Sequence, residues 1–123
     1  MKRLSICWII GCLLGLVACR PEVPAQAEQG ETDVFPDYRE VTVPVNIAPP
    51  NFKLVDQQLQ GITRLKTMNR ELIIAADQGV FNLPETDWKV LSQDAQGKQI
   101  DVTVYFREPQ SNWKQMSFPI YVS

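Results

Sequence analysis

The 123-residue chain contains no histidine, and its three cysteines, Cys7, Cys12 and Cys19, all lie near the N-terminus. Without histidine, the chain lacks the commonest metal ligand and the commonest general base near neutral pH. Because no cysteine follows residue 19, the later residues have no thiol for a disulfide, a zinc site or a nucleophile. We therefore expect a fold held together by packing alone, with no metal and no cofactor.

Signatures of catalysis are missing as well. Glu85 and Asp87 are two positions apart, so on a helix they point in different directions and cannot act as a paired acid and base. The remaining carboxylates show no metal-ligand spacing, and the chain has neither a Gly-x-Ser-x-Gly elbow nor a phosphate-binding glycine loop. We expect a protein that is not an enzyme, with no catalytic residue.

The N-terminus shows the order of features typical of an export signal. Lys2 and Arg3 precede an apolar run of fifteen residues over 4–18, which is shorter than the roughly 20 residues of a membrane-spanning helix. Residues 16–19, Leu-Val-Ala-Cys, resemble the bacterial lipobox. This resemblance implies that residues 1–18 are a signal peptide cleaved after Ala18, and that Cys19 becomes a lipidated first residue.

Two alternatives to lipidation at Cys19 remain open. A second box ends at Cys12, but its apolar run of about seven residues is at the lower limit for such signals. An ordinary thiol next to a plain secretory signal or an uncleaved anchor is the other alternative. Two or three acyl chains on Cys19 would give stable membrane anchoring. Arg20 stands where some inner-membrane lipoproteins carry aspartate, which favours the outer membrane, on either its periplasmic or its surface face.

The mature chain is expected to be acidic. Removal of Lys2 and Arg3 leaves 10 basic against 14 acidic residues, a net charge of about −4. No basic stripe suited to phosphates is present, so nucleic acid is not an expected partner.

Residues 19–33 are polar and lack aromatics, which predicts a flexible tether. Residues 34–123 are enough for one small domain. Because Ser123 directly follows a strand pattern, we expect a longer protein, with a natural end here as the alternative.

A period of two dominates the expected domain and indicates strands. Alternation over residues 41–48 predicts a strand, and Pro44 places it at a sheet edge. Other strands are expected at residues 52–54, 60–67, 71–76, 80–83, 100–106 and 116–122, with turns at 68–70, 77–79 and 108–112. One short helix is predicted from Pro84 to Gly97, with Trp88 at one end of the core. The pattern favours a mostly β fold, a small antiparallel immunoglobulin-like β-sandwich, over a partly open barrel.

One stretch resembles a known group of proteins. Residues 35–54, FPDYREVTVPVNIAPPNFKL, resemble the opening of Bacteroidetes lipoproteins that begin with a lipidated cysteine and continue into a TolB-like β-propeller. The matching positions are Pro36, Asp37, Tyr38, Val41, Thr42, Pro44, Asn46, Ile47, Ala48, Pro49, Asn51 and Phe52, and shorter likenesses follow at Trp88-Lys89, Gly97-Lys98, Trp113 and residues 118–122. The resemblance implies a module that precedes a propeller, with no catalytic residues to transfer. Alternatively, the prolines only shape an edge strand.

We therefore expect a non-catalytic, lipid-anchored envelope module that acts as a membrane-proximal spacer and interaction domain. Its expected partners are the membrane, through Cys19, and a downstream domain or an envelope protein. The alternative function is a carbohydrate-binding or accessory module in surface glycan uptake. For that function Trp113, Tyr105 and Tyr121 would form an aromatic platform under a sugar ring, although such aromatics also stabilise sheets by cross-strand packing.

Overall fold

The computed structural model describes residues 21–123, so the predicted signal peptide, the cleavage site after Ala18 and the lipidation site at Cys19 lie outside the described residues. This part of the chain contains nine strands and one helix. They are β1 (Glu28–Gln29), β2 (Val34–Phe35), β3 (Thr42–Val43), β4 (Phe52–Leu54), β5 (Gln60–Lys66), β6 (Glu71–Ala75), β7 (Val80–Phe81), α1 (Glu85–Asp94), β8 (Gln99–Arg107) and β9 (Lys114–Val122).

The larger sheet has the strand order β1-β9-β8-β5-β6, and β3 also pairs with β9. In the four longest strands, β9, β8, β5 and β6, each strand runs antiparallel to its neighbour, as predicted. The short strands β1 and β3 instead run parallel to β9, at its two ends. These two short parallel pairings are additions to the expected antiparallel pattern, because both strands reach β9 through long connections rather than hairpins.

A smaller sheet, β2-β4-β7, completes a small β-sandwich with a single short helix among residues 21–123. Neither sheet closes on itself, so the architecture is the predicted sandwich and not a barrel. The core contains residues from both sheets and from α1: Val34, Phe52, Leu54, Leu65, Phe81, Trp88, Leu91, Ile100, Val102, Val104, Phe106, Met116, Phe118, Ile120 and Val122. We call the side of the larger sheet that faces this core its inner face, and the opposite side its outer face.

The turns between strands follow the predicted chemistry. Residues 67–70 join β5 to β6, and the Thr67 N–H donates to the Arg70 carbonyl at 2.9 Å. At the second turn, Gln78 and Gly79 both have positive φ, 52° and 81°. Such a pair is typical of a type I′ turn, which favours glycine at its second position.

The predicted strand over residues 41–48 is reduced to the two residues of β3. Alternate burial persists beyond it, since Val43 is buried and both Val45 and Ile47 are half-buried. Hydrogen bonding changes, however, because the Val45 carbonyl accepts from Ser92 Oγ and the Ile47 carbonyl from Trp88 Nε1, both at 3.2 Å. The segment after Pro44 thus satisfies its carbonyls on α1 rather than on a neighbouring strand, and Trp88 is buried as predicted.

The predicted flexible tether over residues 19–33 extends too far towards the C-terminus, because part of that range forms a strand. β1 lies inside that range and pairs with Lys114 and Gln115 of β9. The N–H groups of Glu28 and Gly30 donate to the carbonyls of Trp113 and Gln115, both at 3.1 Å. Because this pairing uses only the backbone, it forms without any apolar side chain in β1, and the polar composition that suggested a tether does not prevent it.

Candidate functional site

The first described residues form a strap, residues 21–27, between two distant parts of the larger sheet. At one end, Pro21 lines a cleft with Glu71, Leu72 and Ile73 of β6 and with Asp87 of α1. Ala27 accepts a hydrogen bond from Gln115 Nε2 on β9 at 2.9 Å. β6 and β9 are three strand spacings apart, about 14 Å. Residues 22–26 connect these two positions, and Val23 and Pro24 are half-buried.

Tyr105 is buried although it lies on the outer face of the larger sheet. The register places Tyr105 on the outer face of β8, between Ile62 of β5 and Gln115 of β9. A tyrosine on a solvent-facing side is normally well exposed, yet Tyr105 is only 8% exposed and is not part of the core cluster. Neighbouring side chains therefore exclude water from most of its ring.

Trp113 lies at the other end of the strap. The Arg107 guanidinium stacks over its ring, 4.4 Å from the ring centre, and Arg107 Nε donates to Gln60 Oε1 at 2.9 Å. Trp113 and Arg107 line a shallow cleft of about 250 Å³ together with Gln26, Ala27, Glu28, Ser111 and Asn112. Ordinary ligand pockets have roughly 300–1,000 Å³, so this cleft has room for one small polar ring at most.

The structure does not unite the three aromatic residues of the predicted sugar platform. Trp113 and Tyr105 are near each other on the outer face, since Tyr105 is opposite Gln115 and Trp113 precedes β9 by one residue. Tyr121 is opposite Gln99, six residues farther along β9, or about 20 Å away. With Tyr105 buried and Tyr121 at the other end, only Trp113 is left as a stacking surface.

The proline-marked stretch over residues 35–54 supplies β2, β3, β4 and the contacts to α1 described above. Its polar residues make local bonds: Asn51 Oδ1 accepts from the Leu83 N–H at 2.7 Å. Arg39 donates to both carboxylate oxygens of Asp37 from Nε and Nη2, at 2.9 and 2.8 Å. This interaction lowers the pKa of Asp37 to about 2. Most of the stretch therefore has a structural role in the described fold.

An apolar patch is nevertheless exposed on the outside of the smaller sheet. Phe35 is 62% exposed and Val55 is 52% exposed. Lys53 is directly opposite Phe35 in the register, and its ammonium group is 6.0 Å from the centre of the Phe35 ring. Large exposed apolar side chains next to one another are typical of interaction surfaces.

A second exposed apolar residue, Met68, stands at the tip of the β5–β6 hairpin and is 80% exposed. Three cations surround it: Lys66 and Arg70 on the hairpin, and Lys98, whose Nζ is 3.7 Å from Met68 Sδ. The sequence marks residues 68–70 as a turn, but it gives no sign that Lys98, far along the chain, joins this tip. We call Lys66, Met68, Arg70 and Lys98 the basic tip.

The carboxylates considered for catalysis do not converge. Glu85 and Asp87 are both exposed in the first turn of α1. Asp94, at the end of α1, accepts hydrogen bonds from Thr67 Oγ1 and from Asn69 Nδ2, which lower the pKa of its carboxyl group. Between residues 21 and 123, no group of three or more acidic side chains has the geometry of a metal site. Over that same range, no helix has the length and apolarity needed to cross a bilayer.

Comparison with known proteins gives no further assignment, since no family model, no curated protein and no solved structure matches the chain.

Proposed function

We propose that this protein is a non-catalytic, lipid-anchored module of the bacterial envelope, held in the outer membrane through Cys19, that binds another envelope component. The observation that carries the proposal is the order of Lys2-Arg3, the apolar run over 4–18 and the Leu-Val-Ala-Cys sequence ending at Cys19. Pro21, two positions after Cys19 in the sequence, lines a cleft with Glu71, Leu72 and Ile73 of β6 and Asp87 of α1. An anchor at Cys19 would therefore hold the sandwich next to the bilayer.

The position of the last residue favours an interaction module over a rigid spacer. The Ser123 N–H donates to the Val43 carbonyl at 2.9 Å. The register places this point at the same end of the larger sheet as Lys66 and Asp101, next to the β5–β6 turn. In a rigid spacer, the anchored N-terminus and the C-terminus that leads to the next domain would lie at opposite ends of the domain. A propeller following Ser123 would instead start at the end nearest to Pro21, and so near the membrane.

Lipidation is tested by replacing Cys19 with serine in the full-length chain and expressing it in a Gram-negative bacterium with labelled palmitate. The unaltered protein should incorporate label and sediment with outer membranes, whereas Cys19→Ser should do neither. Cys12→Ser is the matched control and should behave like the unaltered protein, because it changes only the competing box. Label that persists in Cys19→Ser, or a loss of label in Cys12→Ser, would refute the assignment.

A second candidate function is the binding of a small carbohydrate, supported by the Trp113 cleft. Tryptophan is a common stacking surface for sugar rings, and Arg107, Asn112 and Ser111 supply hydrogen-bond donors around it. The guanidinium favours an acidic sugar such as a uronic acid. Tryptophan emission should change on titration with uronic acids and lose that response in Trp113→Phe. Tyr121→Phe, at the far end of β9, should retain the response; an unchanged spectrum across acidic and neutral sugars would exclude this function.

A further inference from the structure

The basic tip combines features that suit a lipid surface. Met68 is 80% exposed at the end of the β5–β6 turn, and the Lys98 ammonium is 3.7 Å from its sulfur. A methionine is unbranched and polarisable, so it adapts to irregular apolar surroundings. Cations around one apolar side chain are the arrangement with which peripheral proteins contact anionic headgroups while burying an apolar group.

The three cations of the basic tip are available for binding. The ion pairs among the described residues are Arg39 with Asp37 and Arg64 with Glu71, so none involves Lys66, Arg70 or Lys98. Two carboxylates are nearby, and both have other hydrogen-bond partners. Asp94 accepts bonds from Thr67 and Asn69, and Asp101 accepts one from Gln99 Nε2 at 2.7 Å.

The tip has a fixed shape. The Thr67 side chain accepts from the Arg70 N–H at 3.0 Å and donates to Asp94 at the end of α1. Asn69 Nδ2 reaches the other carboxylate oxygen of Asp94 at 3.3 Å. Because the turn is bonded to the helix, Met68 is presented outward without the ordering entropy that a loose loop would lose on binding.

The proposed anchor lies on the same side of the molecule. Pro21 lines one cleft with Glu71, Leu72 and Ile73 of β6, the residues directly after Arg70, and with Asp87 of α1. Cys19 is two positions before Pro21 in the sequence, and two residues of extended chain span at most about 7 Å. A bilayer that held acyl chains on Cys19 would therefore be adjacent to the hairpin end of the larger sheet.

From this juxtaposition we propose that the basic tip is the membrane-contacting surface of the protein: Lys66, Arg70 and Lys98 bind anionic lipid headgroups while Met68 enters the interface. The proposal rests on the proposed lipidation of Cys19 and adds an orientation to it. The turn over residues 108–112 joins the end of β8 to the start of β9. It lies at the end of the larger sheet opposite to the basic tip, so in this orientation it points away from the bilayer.

The test uses the full-length protein, processed in bacteria and reconstituted into vesicles, with Met68→Cys labelled by an environment-sensitive nitrobenzoxadiazole dye. Lipidation at Cys19 blocks that sulfur as a thioether, so position 68 is then the single reactive thiol. Ser111→Cys in the distal turn is the matched control, since both positions are exposed turn residues. The vesicles contain phosphatidylglycerol and phosphatidylethanolamine, with spin-labelled lipid as the quencher.

We expect the dye at position 68 to shift its emission to shorter wavelength and to be quenched by the spin-labelled lipid, while the dye at 111 does neither. The shift at 68 should be lost on pure phosphatidylcholine vesicles, and also when Lys66, Arg70 and Lys98 are together replaced by glutamate. A water-exposed dye at 68, stronger quenching at 111, or an equal shift on phosphatidylcholine would overturn the proposal. Dye incorporation into unaltered protein would reveal a free Cys19 and thus refute the anchor itself, together with the orientation built on it.

Discussion

Gly61 lies on the inner face of β5, where Leu54 and Phe81 of the smaller sheet pack against it. A Cβ atom added there would be 2.8 Å from Leu54 Cδ1 and 2.8 Å from Phe81 Cζ. Both neighbours are fully buried, so neither side chain can swing into solvent to make room. We therefore predict that Gly61→Ala forces the two sheets apart locally.

The magnitude follows from two opposing effects. Overpacking a well-packed core costs about 1–3 kcal/mol. Replacing glycine also restricts the unfolded chain, which stabilises the folded state by about 0.4–1 kcal/mol. The net decrease in the free energy of unfolding is then about 1–2 kcal/mol. For a domain of this size, each kcal/mol lowers the melting temperature by about 4–8 °C.

Urea unfolding followed by circular dichroism, together with a thermal scan, measures this loss. Gly30→Ala is the matched control with a milder clash: its Cβ would be 3.0 Å from Lys114 Cδ, which can move aside, 3.2 Å from Lys114 Cβ and 3.4 Å from Phe106 Cζ. Its effect should stay within about 0.5 kcal/mol. Leu54→Val removes Cδ1, one of the two atoms that the Cβ of Gly61→Ala would strike, so the double variant should lose less than the two single losses combined. Equal losses at positions 30 and 61, or strict additivity with Leu54→Val, would refute the reasoning.

Two further predictions concern hydrogen bonds. Ser92→Ala should lower the free energy of unfolding by about 1 kcal/mol, because the buried hydroxyl donates to the Val45 carbonyl, which would lose its partner; an unchanged urea midpoint would contradict this. Arg39→Ala should raise the pKa of Asp37 from about 2 towards its ordinary value near 3.8, because both side-chain bonds are lost. In the unaltered protein the pair is complete above the unfolded pKa and is lost as the pH falls through about 2. Carboxyl ¹³C shifts measure the titration, and an unshifted pKa in the variant would show that Arg39 is not its cause.

Long strands with strict alternation were predictable from the sequence. β8 and β9 lie within one or two residues of the expected ranges, because β-branched and aromatic residues recur at every second position and face one core. The hairpin turn between β5 and β6 and the helix α1 were predictable from local chemistry in the same way. Each depends on residues close together in sequence.

The features that the sequence did not predict depend on residues that are far apart in the sequence. β1 has two exposed polar residues and pairs through backbone groups that every sequence possesses, so no side-chain pattern marks it. The strand expected over residues 41–48 was too long because the carbonyls after Pro44 bond to Trp88 and Ser92, more than forty residues away. The aromatic platform failed for the same reason, since the registers that separate Tyr105 from Tyr121 are set by strand pairing.

The strap changes how a lipid on Cys19 would act on the fold. A flexible tether of fifteen residues would let the sandwich rotate freely above a membrane, and its surface charges would then have no fixed orientation. With β1 paired to β9 and Pro21 in a cleft beside β6, only the residues before Pro21 remain to link lipid and domain. A few weak contacts then suffice to orient the domain, because the anchor already keeps them at high local concentration near the bilayer. In a protein lipidated at Cys19, the modest charge of the basic tip would for this reason be enough to orient the domain, whereas it would not recruit a free protein from solution.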